Sequence, residues 1–212
     1  MGINIRKRHM LWLGVIVVSL AMLGVAIGQY AVGGSFPLIV GHPLHVTDIH
    51  DDKKLAGISH NIWFGQVASK ARQVEDKSDE PYTLYTATVF ESLKGTLPAS
   101  VSVVQYGVDF TDGTQYRVAG DPDLLVPGKS YLFVTRTNAA GDEHTVVPGV
   151  GNLVLDVAKG ASRDTVLASD DANELRARFQ EAIANQIEYD PNEGEDDGGS
   201  DNTSRSDASS TP

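Results

Sequence analysis

Hydrophobic and polar positions divide the chain into four segments. Residues 1–28 contain a long apolar run, residues 29–47 mix glycine and proline with short apolar pieces, residues 48–190 show regular periodicity, and residues 191–212 are almost devoid of apolar side chains. This pattern predicts an N-terminal signal anchor or signal peptide, a juxtamembrane linker, one extracytoplasmic domain and a disordered acidic tail, in that order.

The apolar run extends from Met10 to Gly28 and follows the basic residues Arg6 to Arg8. In a helix it would reach about 28 Å, close to the hydrocarbon thickness of a bilayer. Basic residues before the run hold that end in the cytoplasm, so the domain is expected outside. Two interpretations stay open. An uncleaved helix makes this a single-pass cell-membrane protein, whereas cleavage after the small-x-small sequence Ala26–Gly28 makes it secreted.

Alternating apolar positions between residues 48 and 190 predict β-strands. The clearest is YTLYTATVFESLKG, in which Tyr85, Ala87, Val89 and Leu93 share a parity. Glycine and proline turns separate the predicted strands, and five or six strands at such short intervals favour a small antiparallel barrel or sandwich. The other predicted strands are NIWFGQVASKARQV, SVSVVQYG, residues 115–118, residues 130–137 and EHTVVP, and the turns are Asp112-Gly113, Pro127-Gly128 and residues 138–142.

Two helices are expected to flank the strands. A short N-terminal helix, DDKKLAGIS, has Asp48 or Asp51 as its cap and places Leu55 and Ile58 on one face. A C-terminal amphipathic helix is expected near residue 175. Its apolar stripe repeats every fourth residue, and an aspartate and a glutamate stand at the spacing of a capping box. The box is Asp171 and Glu174, and the stripe is Leu175, Phe179, Ile183 and Ile187.

Net charge and cysteine content limit the classes of partner and the kinds of site chemistry that the chain can have. The net charge is −11, and residues 188–212 hold −7 of it, which leaves −4 for the rest. Nucleic-acid binding needs a basic face, so we predict no nucleic-acid partner. The chain has no cysteine. This excludes disulfides, thiolate metal ligands and cysteine nucleophiles, and in an exported protein it favours a Gram-positive bacterial source.

The stretch GHPLHVTDIHDD, residues 41–52, contains the densest group of metal-competent side chains. Imidazole and carboxylate groups bind zinc, but Pro43 separates the first two histidines and the spacing matches no known zinc pattern. We therefore favour helix capping by the aspartates, and metal binding stays open as the alternative. The residues concerned are His42, His45, His50, Asp48, Asp51 and Asp52.

The acidic tail offers a partial calcium loop beginning at Glu193, with Glu195, Asp197 and Gly198 roughly in place. Its twelfth position is Ser204 instead of a bidentate glutamate. The tail is therefore interpreted as a solubilising or spacing segment. No metal and no cofactor are predicted for the chain.

Catalytic motifs are absent from the sequence. It contains no G-x-S-x-G elbow, no H-E-x-x-H and no glycine-rich phosphate loop. A site assembled from Asp109, Asp112 and His144 is the enzyme alternative, although aspartates in turns ordinarily bond to the local backbone. Aromatic residues spread along the strands would either pack in the core or bind a ligand. They are Trp63, Tyr82, Tyr85, Tyr106, Tyr116 and Tyr131.

Four stretches, ISHNIWFGQV, YTATVFESLKG, LLVPGKSYLF and HTVVPGVGNL, resemble a set found in exported Gram-positive bacterial proteins of uncharacterised activity. Their domain is similar to the OB-fold barrel of the tissue inhibitors of metalloproteinases and of netrin modules. The resemblance covers about residues 48–190 and implies a small antiparallel OB-like β-barrel. The animal inhibitors chelate zinc through an N-terminal cysteine, which this chain lacks, so no inhibitory residue carries over.

These observations favour a non-catalytic binding module at the cell surface, either membrane-tethered through its N-terminal helix or secreted. Its expected ligand is a surface protein, a peptide or a glycan. OB-type barrels bind oligosaccharides, nucleic acids and proteins alike, so the fold alone does not select the ligand. Two alternatives remain: an extracytoplasmic enzyme with a site built from dispersed loop residues, and a metalloprotease-inhibitor-like domain.

Overall fold

The computed structural model describes residues 37–41, 47–75, 80–121 and 123–189. The predicted signal anchor or signal peptide (residues 1–28), His42, His45 and the acidic tail lie outside these residues. Within the described ranges, none of the helices combines the length and the apolar character needed to cross a bilayer.

Strands dominate the described part of the chain, with one helix between β1 and β2 and two helices after β8. In order, the elements are β1 (Leu38–Gly41), α1 (Asp52–Ile58), β2 (Asn61–Val74), β3 (Tyr82–Lys94), β4 (Ser100–Asp109), β5 (Gln115–Val118), β6 (Ser130–Thr137), β7 (Glu143–Val146), β8 (Asn152–Val154), α2 (Arg163–Leu167) and α3 (Asp170–Ala184).

Five of these strands close into a barrel. β2, β3 and β4 form an antiparallel meander, β6 pairs with the other edge of β2, and β7 pairs with β6. The barrel closes where β7 runs parallel to β4, with His144 opposite Val103. In the OB fold, a three-stranded meander is followed by two more barrel strands, and the barrel closes where its third strand pairs in parallel with its fifth. The five barrel strands here have this order. The predicted mainly β, OB-like barrel with a helix at each end is thus confirmed.

Side-chain alternation on the barrel strands produces two cores. In the first part of β2, up to Val67, and in β6 up to Thr135, odd-numbered residues point into the barrel and even-numbered ones point outward under the helices, so both faces are largely buried there. The inner core contains Trp63, Val67, Tyr85, Ala87, Val101, Val103, Leu125, Tyr131, Phe133 and Val146. The outer core contains Ile49, Leu55, Ala56, Ile62, Phe64, Leu132, Val134, Val147, Leu155, Val166, Ala172, Phe179 and Ala182.

The predicted parity of β3 fails at its end. Tyr85 and Ala87 lie in the inner core and Val89 packs against it, but Leu93 packs against the outer core. Before Leu93, the register of β3 against β2 shifts once, between Val89, which is opposite Gly65, and Glu91, which is opposite Phe64. Such a β-bulge moves the following side chains to the opposite face.

The helix caps agree with the sequence at one helix only. Asp51 caps α1 by accepting hydrogen bonds from the backbone N–H of Lys53 (2.8 Å) and of Lys54 (3.3 Å). The predicted cap of α3 is wrong. Ser169 is the N-cap, and Asp171 lies within the first turn, where it accepts a 2.7 Å bond from the Asp156 N–H. Serine is a strong N-cap that the capping-box spacing overlooked.

The apolar stripe of α3 covers the outer core for three of its four predicted positions. Phe179 is fully buried, and Leu175 and Ile183 pack beside it. Ile187 lies beyond the end of the helix and is 42% exposed. The stripe therefore ends with the helix, because the fourth-residue spacing keeps a common face only in helical backbone.

β1 lies within residues 29–47, which the sequence predicts to be a juxtamembrane linker. Leu38–Gly41 pairs in parallel with Gln115–Val118 of β5, which in turn pairs with the last residues of β4. Gly107, where β4 passes from its pairing with β3 to its pairing with β5, has a positive φ of 137°, a conformation that favours glycine. β1 and β5 thus extend the sheet beyond the barrel.

Candidate ligand-binding face

The structure separates the aromatic residues into two groups. Trp63, Tyr85 and Tyr131 are at most 3% exposed and fill the barrel. Trp63 stacks on Phe133 with ring centroids 4.3 Å apart, and burial raises the pKa of Tyr85 to about 12. This group is structural. The second group, Tyr82, Tyr106 and Tyr116, is half-buried at the surface.

Tyr82 on β3 and Tyr106 on β4 lie directly opposite each other. Beside them, the Gly107 N–H donates to the Pro81 carbonyl at 2.9 Å, which makes the tyrosines a non-hydrogen-bonded pair with Cα atoms about 4.5 Å apart. Pro81 has no N–H to return, and the Thr83 hydroxyl donates to the Gly107 carbonyl instead, at 2.6 Å. The two side chains therefore stand close together on a well-bonded backbone.

Three more cross-strand pairs continue the row of the tyrosines along the outer side of the barrel. We call the eight residues the β3–β4 face. One half is aromatic and aliphatic, the other half carries four hydroxyl groups, and the whole spans roughly 20 Å along the strands. Apart from the tyrosines it has no ionisable side chain. The pairs are Tyr82–Tyr106, Leu84–Val104, Thr86–Ser102 and Thr88–Ser100.

Buried polar residues support the tyrosine pair from inside the barrel. Thr83 and Gln105 form the next cross-strand pair and are at most 1% exposed. Gln105 accepts from the Leu125 N–H at 2.8 Å and donates to the Asp123 carbonyl at 3.1 Å. These bonds tie the segment before β6 to β4. The backbone beneath the face is thereby held rigid, which lowers the entropic cost of binding.

Charged residues lie only at the rim of the β3–β4 face. On the β2 side, Arg72 is opposite Leu84 and is exposed. On the β7 side, Glu143 is opposite Ser102. Arg72 and Glu143 thus place a positive and a negative group beside an uncharged centre.

A second polar cluster lies at the end of the barrel where β6 meets β7. The Asn61 amide donates to the Thr137 hydroxyl at 2.7 Å, and His144 Nδ1 lies 3.4 Å from that amide and 3.3 Å from that hydroxyl. The Thr137 N–H donates to His60 Nδ1 at 2.9 Å. Asn61 and His144 are at most 5% exposed, and burial lowers the pKa of His144. With its members bonded to one another, the cluster holds this end of the barrel together.

The residues of the enzyme alternative do not converge. His144 is opposite Val103 on β4, whereas Asp109 ends the same strand six positions later, roughly 20 Å away. Asp109 forms an ion pair with Arg117, and Asp112 accepts a 2.8 Å bond from the Thr114 N–H within its turn. The structure thus places the two aspartates far from the histidine, and both make local structural bonds.

The histidine-rich stretch is described only in part. His50 donates its backbone N–H to Asp48 at 3.0 Å, which completes the turn before α1. Among the residues that the structure describes, no three histidine or acidic side chains are grouped so that they could hold a metal ion.

The fold and its surface define a closed OB-type barrel with one uncharged, aromatic and hydroxyl-bearing face. No protein-family model matches the chain, and no curated protein matches it.

Proposed function

We propose that this protein is a non-catalytic extracytoplasmic binding module that recognises a glycan through its β3–β4 face. Its N-terminal segment either tethers it to the cell membrane or directs its secretion. The observation that carries the proposal is the Tyr82–Tyr106 pair. Beyond the Leu84–Val104 pair, two cross-strand pairs of hydroxyl side chains continue it along the face. Aromatic rings cover the apolar faces of sugar rings, and hydroxyl groups exchange hydrogen bonds with sugar hydroxyls.

The pairing of the strands favours side-chain recognition over strand addition. β3 is bonded to β2 and β4, and β4 is bonded to β3, β5 and β7. Their backbone groups are therefore engaged within the sheet. A peptide that binds by extending a sheet needs an open edge, which this face does not provide. Recognition here must come from rings and hydroxyls, and those groups match a neutral saccharide.

A protein ligand is the second candidate. Tyrosine and arginine are common at the energetic centres of protein interfaces, and Arg72 lies at the rim of the face beside Leu84. Such a partner would draw on Arg72, whereas a neutral glycan would draw on the tyrosines and hydroxyls.

The test is an array of neutral and acidic oligosaccharides, probed with the full-length chain in detergent, alongside a displayed random-peptide library. We expect saturable binding to neutral saccharides. The double variant Tyr82→Ala/Tyr106→Ala should weaken it by at least about tenfold, which is about 1.4 kcal/mol of binding free energy. Tyr189→Ala is the matched control, since Tyr189 is an exposed tyrosine in the segment after α3.

Three results would decide against the glycan proposal. Binding that survives the double tyrosine variant would remove the β3–β4 face as the site. Binding to peptides alone, lost in Arg72→Ala, would establish the second candidate. Failure to bind either collection would leave the face without a ligand of these classes.

A further inference from the structure

β1 exposes three consecutive aliphatic side chains at the edge of the sheet. Leu38, Ile39 and Val40 are 56%, 48% and 46% exposed. Successive strand residues point to opposite faces, so the strand is uncovered on both. Elsewhere in the described residues, Val154 on β8 is an exposed aliphatic residue of the same kind, but it stands alone in its strand.

The second half of β2 forms another free edge of the sheet. Unlike β1, it has features that protect a strand edge from pairing with other molecules. Beyond Val67, β2 pairs with β3 only. This edge carries Lys70 and Arg72, and its register shifts at two places. Basic side chains and bulges are the features that keep strand edges from sticking to other molecules. β1 has neither a charged residue nor a bulge. Neither of these features therefore keeps its exposed apolar edge from contacting another molecule.

We propose that the β1 edge, Leu38–Val40, contacts the surface of the lipid bilayer. This rests on the membrane tether of the proposed function and is independent of the glycan ligand. Only residues 29–37 separate the end of the apolar run at Gly28 from Leu38, and nine residues span at most about 30 Å. Ile39 pairs with Tyr116, and tyrosine is enriched at the membrane–water interface.

Geometry favours lipid over a second copy of the chain. A protein sheet packed on one face would cover alternate residues only, whereas a fluid surface met edge-on reaches all three. Pairing two copies through four-residue strands would also bury far less than the roughly 1,200 Å² of a stable interface. The occupant that fits three aliphatic side chains on both faces of one short strand is the boundary between the headgroups and the acyl chains of a bilayer.

The absence of cysteine makes a direct test straightforward. A single Ile39→Cys substitution in the full-length chain takes one spin label, and the labelled protein is reconstituted into phosphatidylcholine vesicles. Collision with oxygen, which partitions into lipid, is compared with collision with a water-soluble nickel chelate. Val154→Cys is the matched control at 55% exposure. We expect the oxygen-to-nickel ratio to be severalfold higher at position 39.

Flotation of the vesicles separates the failure of this proposal from the failure of the tether. Protein that floats with the vesicles but gives equal ratios at both positions overturns the lipid contact and leaves the tether intact. Protein that does not float overturns both. A spectrum broadened by neighbouring labels, and narrowed by excess unlabelled chain, would assign the edge to a second copy. If circular dichroism shows that Ile39→Cys disturbs the fold, Val40→Cys provides the same readout.

Discussion

A Cβ atom on Gly57 would fall inside contact distance of the main-chain carbonyl oxygen of Ile187. The Ile187 N–H donates to the Lys53 carbonyl at 3.1 Å, so the chain after α3 lies across α1. Gly57 is the position where α1 must lack a side chain for this crossing. The missing side chain at this one position of the seven-residue α1 therefore allows the C-terminal segment of the domain to pack against its first helix.

Gly57→Ala should destabilise the protein by about 1–3 kcal/mol, because the added methyl group forces the crossing segment away. Chemical denaturation measures this. In a chain ending at Ala184 the same substitution should be neutral or stabilising, since alanine favours helix over glycine by about 1 kcal/mol. An equal cost in both chains would show that the crossing is not the reason for the glycine.

Lys94 of β3 supplies the cation that the end of α1 lacks. Its Nζ donates to the Ala56 carbonyl at 2.6 Å and to the Gln186 side chain at 2.7 Å, and burial lowers its pKa. The last turn of α1 has no basic residue of its own. Lys94→Met should cost about 1–2 kcal/mol, from the unsatisfied carbonyl and the lost favourable charge at the negative end of the helix.

Lys70→Met provides the comparison for Lys94. Lys70 is exposed and bonds only to Gln73 of its own strand among the hydrogen bonds described. Its loss should leave the free energy of unfolding almost unchanged. If both methionine variants lose equally, the effect comes from net charge and the contact with α1 is unimportant.

His144 makes the stability of the barrel depend on pH. Burial lowers its pKa from the usual 6.5, and the charge of Asp142 opposes this only in part. The unfolded chain then takes up a proton at a higher pH than the folded one. The contribution of His144 is therefore complete above about pH 6.5 and is lost as the pH falls toward the lower folded-state pKa.

Urea unfolding between about pH 8 and pH 5.5 tests this dependence. His144→Gln keeps a polar partner for Asn61 and Thr137 and should lose less stability on acidification than the unmodified protein. His50→Gln, on an exposed turn, should behave like the unmodified protein. Burial raises the pKa of Asp121, which acts in the opposite direction but equally in every variant. Identical pH profiles for His144→Gln and the unmodified protein would contradict the prediction.

Local chemistry in the sequence predicted the strands and turns well. Gly113 and Gly128 follow the predicted Asp112 and Pro127 and adopt positive φ of 86° each. Asn138 opens the predicted loop and accepts from the Gly141 and Asp142 N–H groups. Each of these features depends on residues a few positions apart, which a single sequence displays directly.

The sequence alone did not predict which residues of distant strands pair with each other. The alternation of YTLYTATV and SVSVV is visible, but nothing in either stretch aligns Tyr82 with Tyr106 rather than with a neighbour two residues away. The parallel closure of β7 on β4 and the addition of β1 to β5 have the same cause. The candidate face was therefore missed as a unit, although four of its residues are the serines and threonines at alternate positions.

Tyr82 and Tyr85 lie on the same strand, but Tyr82 is on the outer side of the barrel and Tyr85 is in the inner core. Comparing them therefore tests the candidate face. Tyr85 is 1% exposed in the inner core, and Tyr85→Ala should cost about 3–5 kcal/mol. Tyr82→Ala should cost about 1 kcal/mol or less, because its side chain is half-buried and lies outside the barrel. Thermal unfolding of the two single variants measures the difference. A cost for Tyr82→Ala that approaches the cost for Tyr85→Ala would mean that Tyr82 is needed to hold the barrel together. A small cost for Tyr82→Ala would instead leave Tyr82 available for the proposed contact with a glycan.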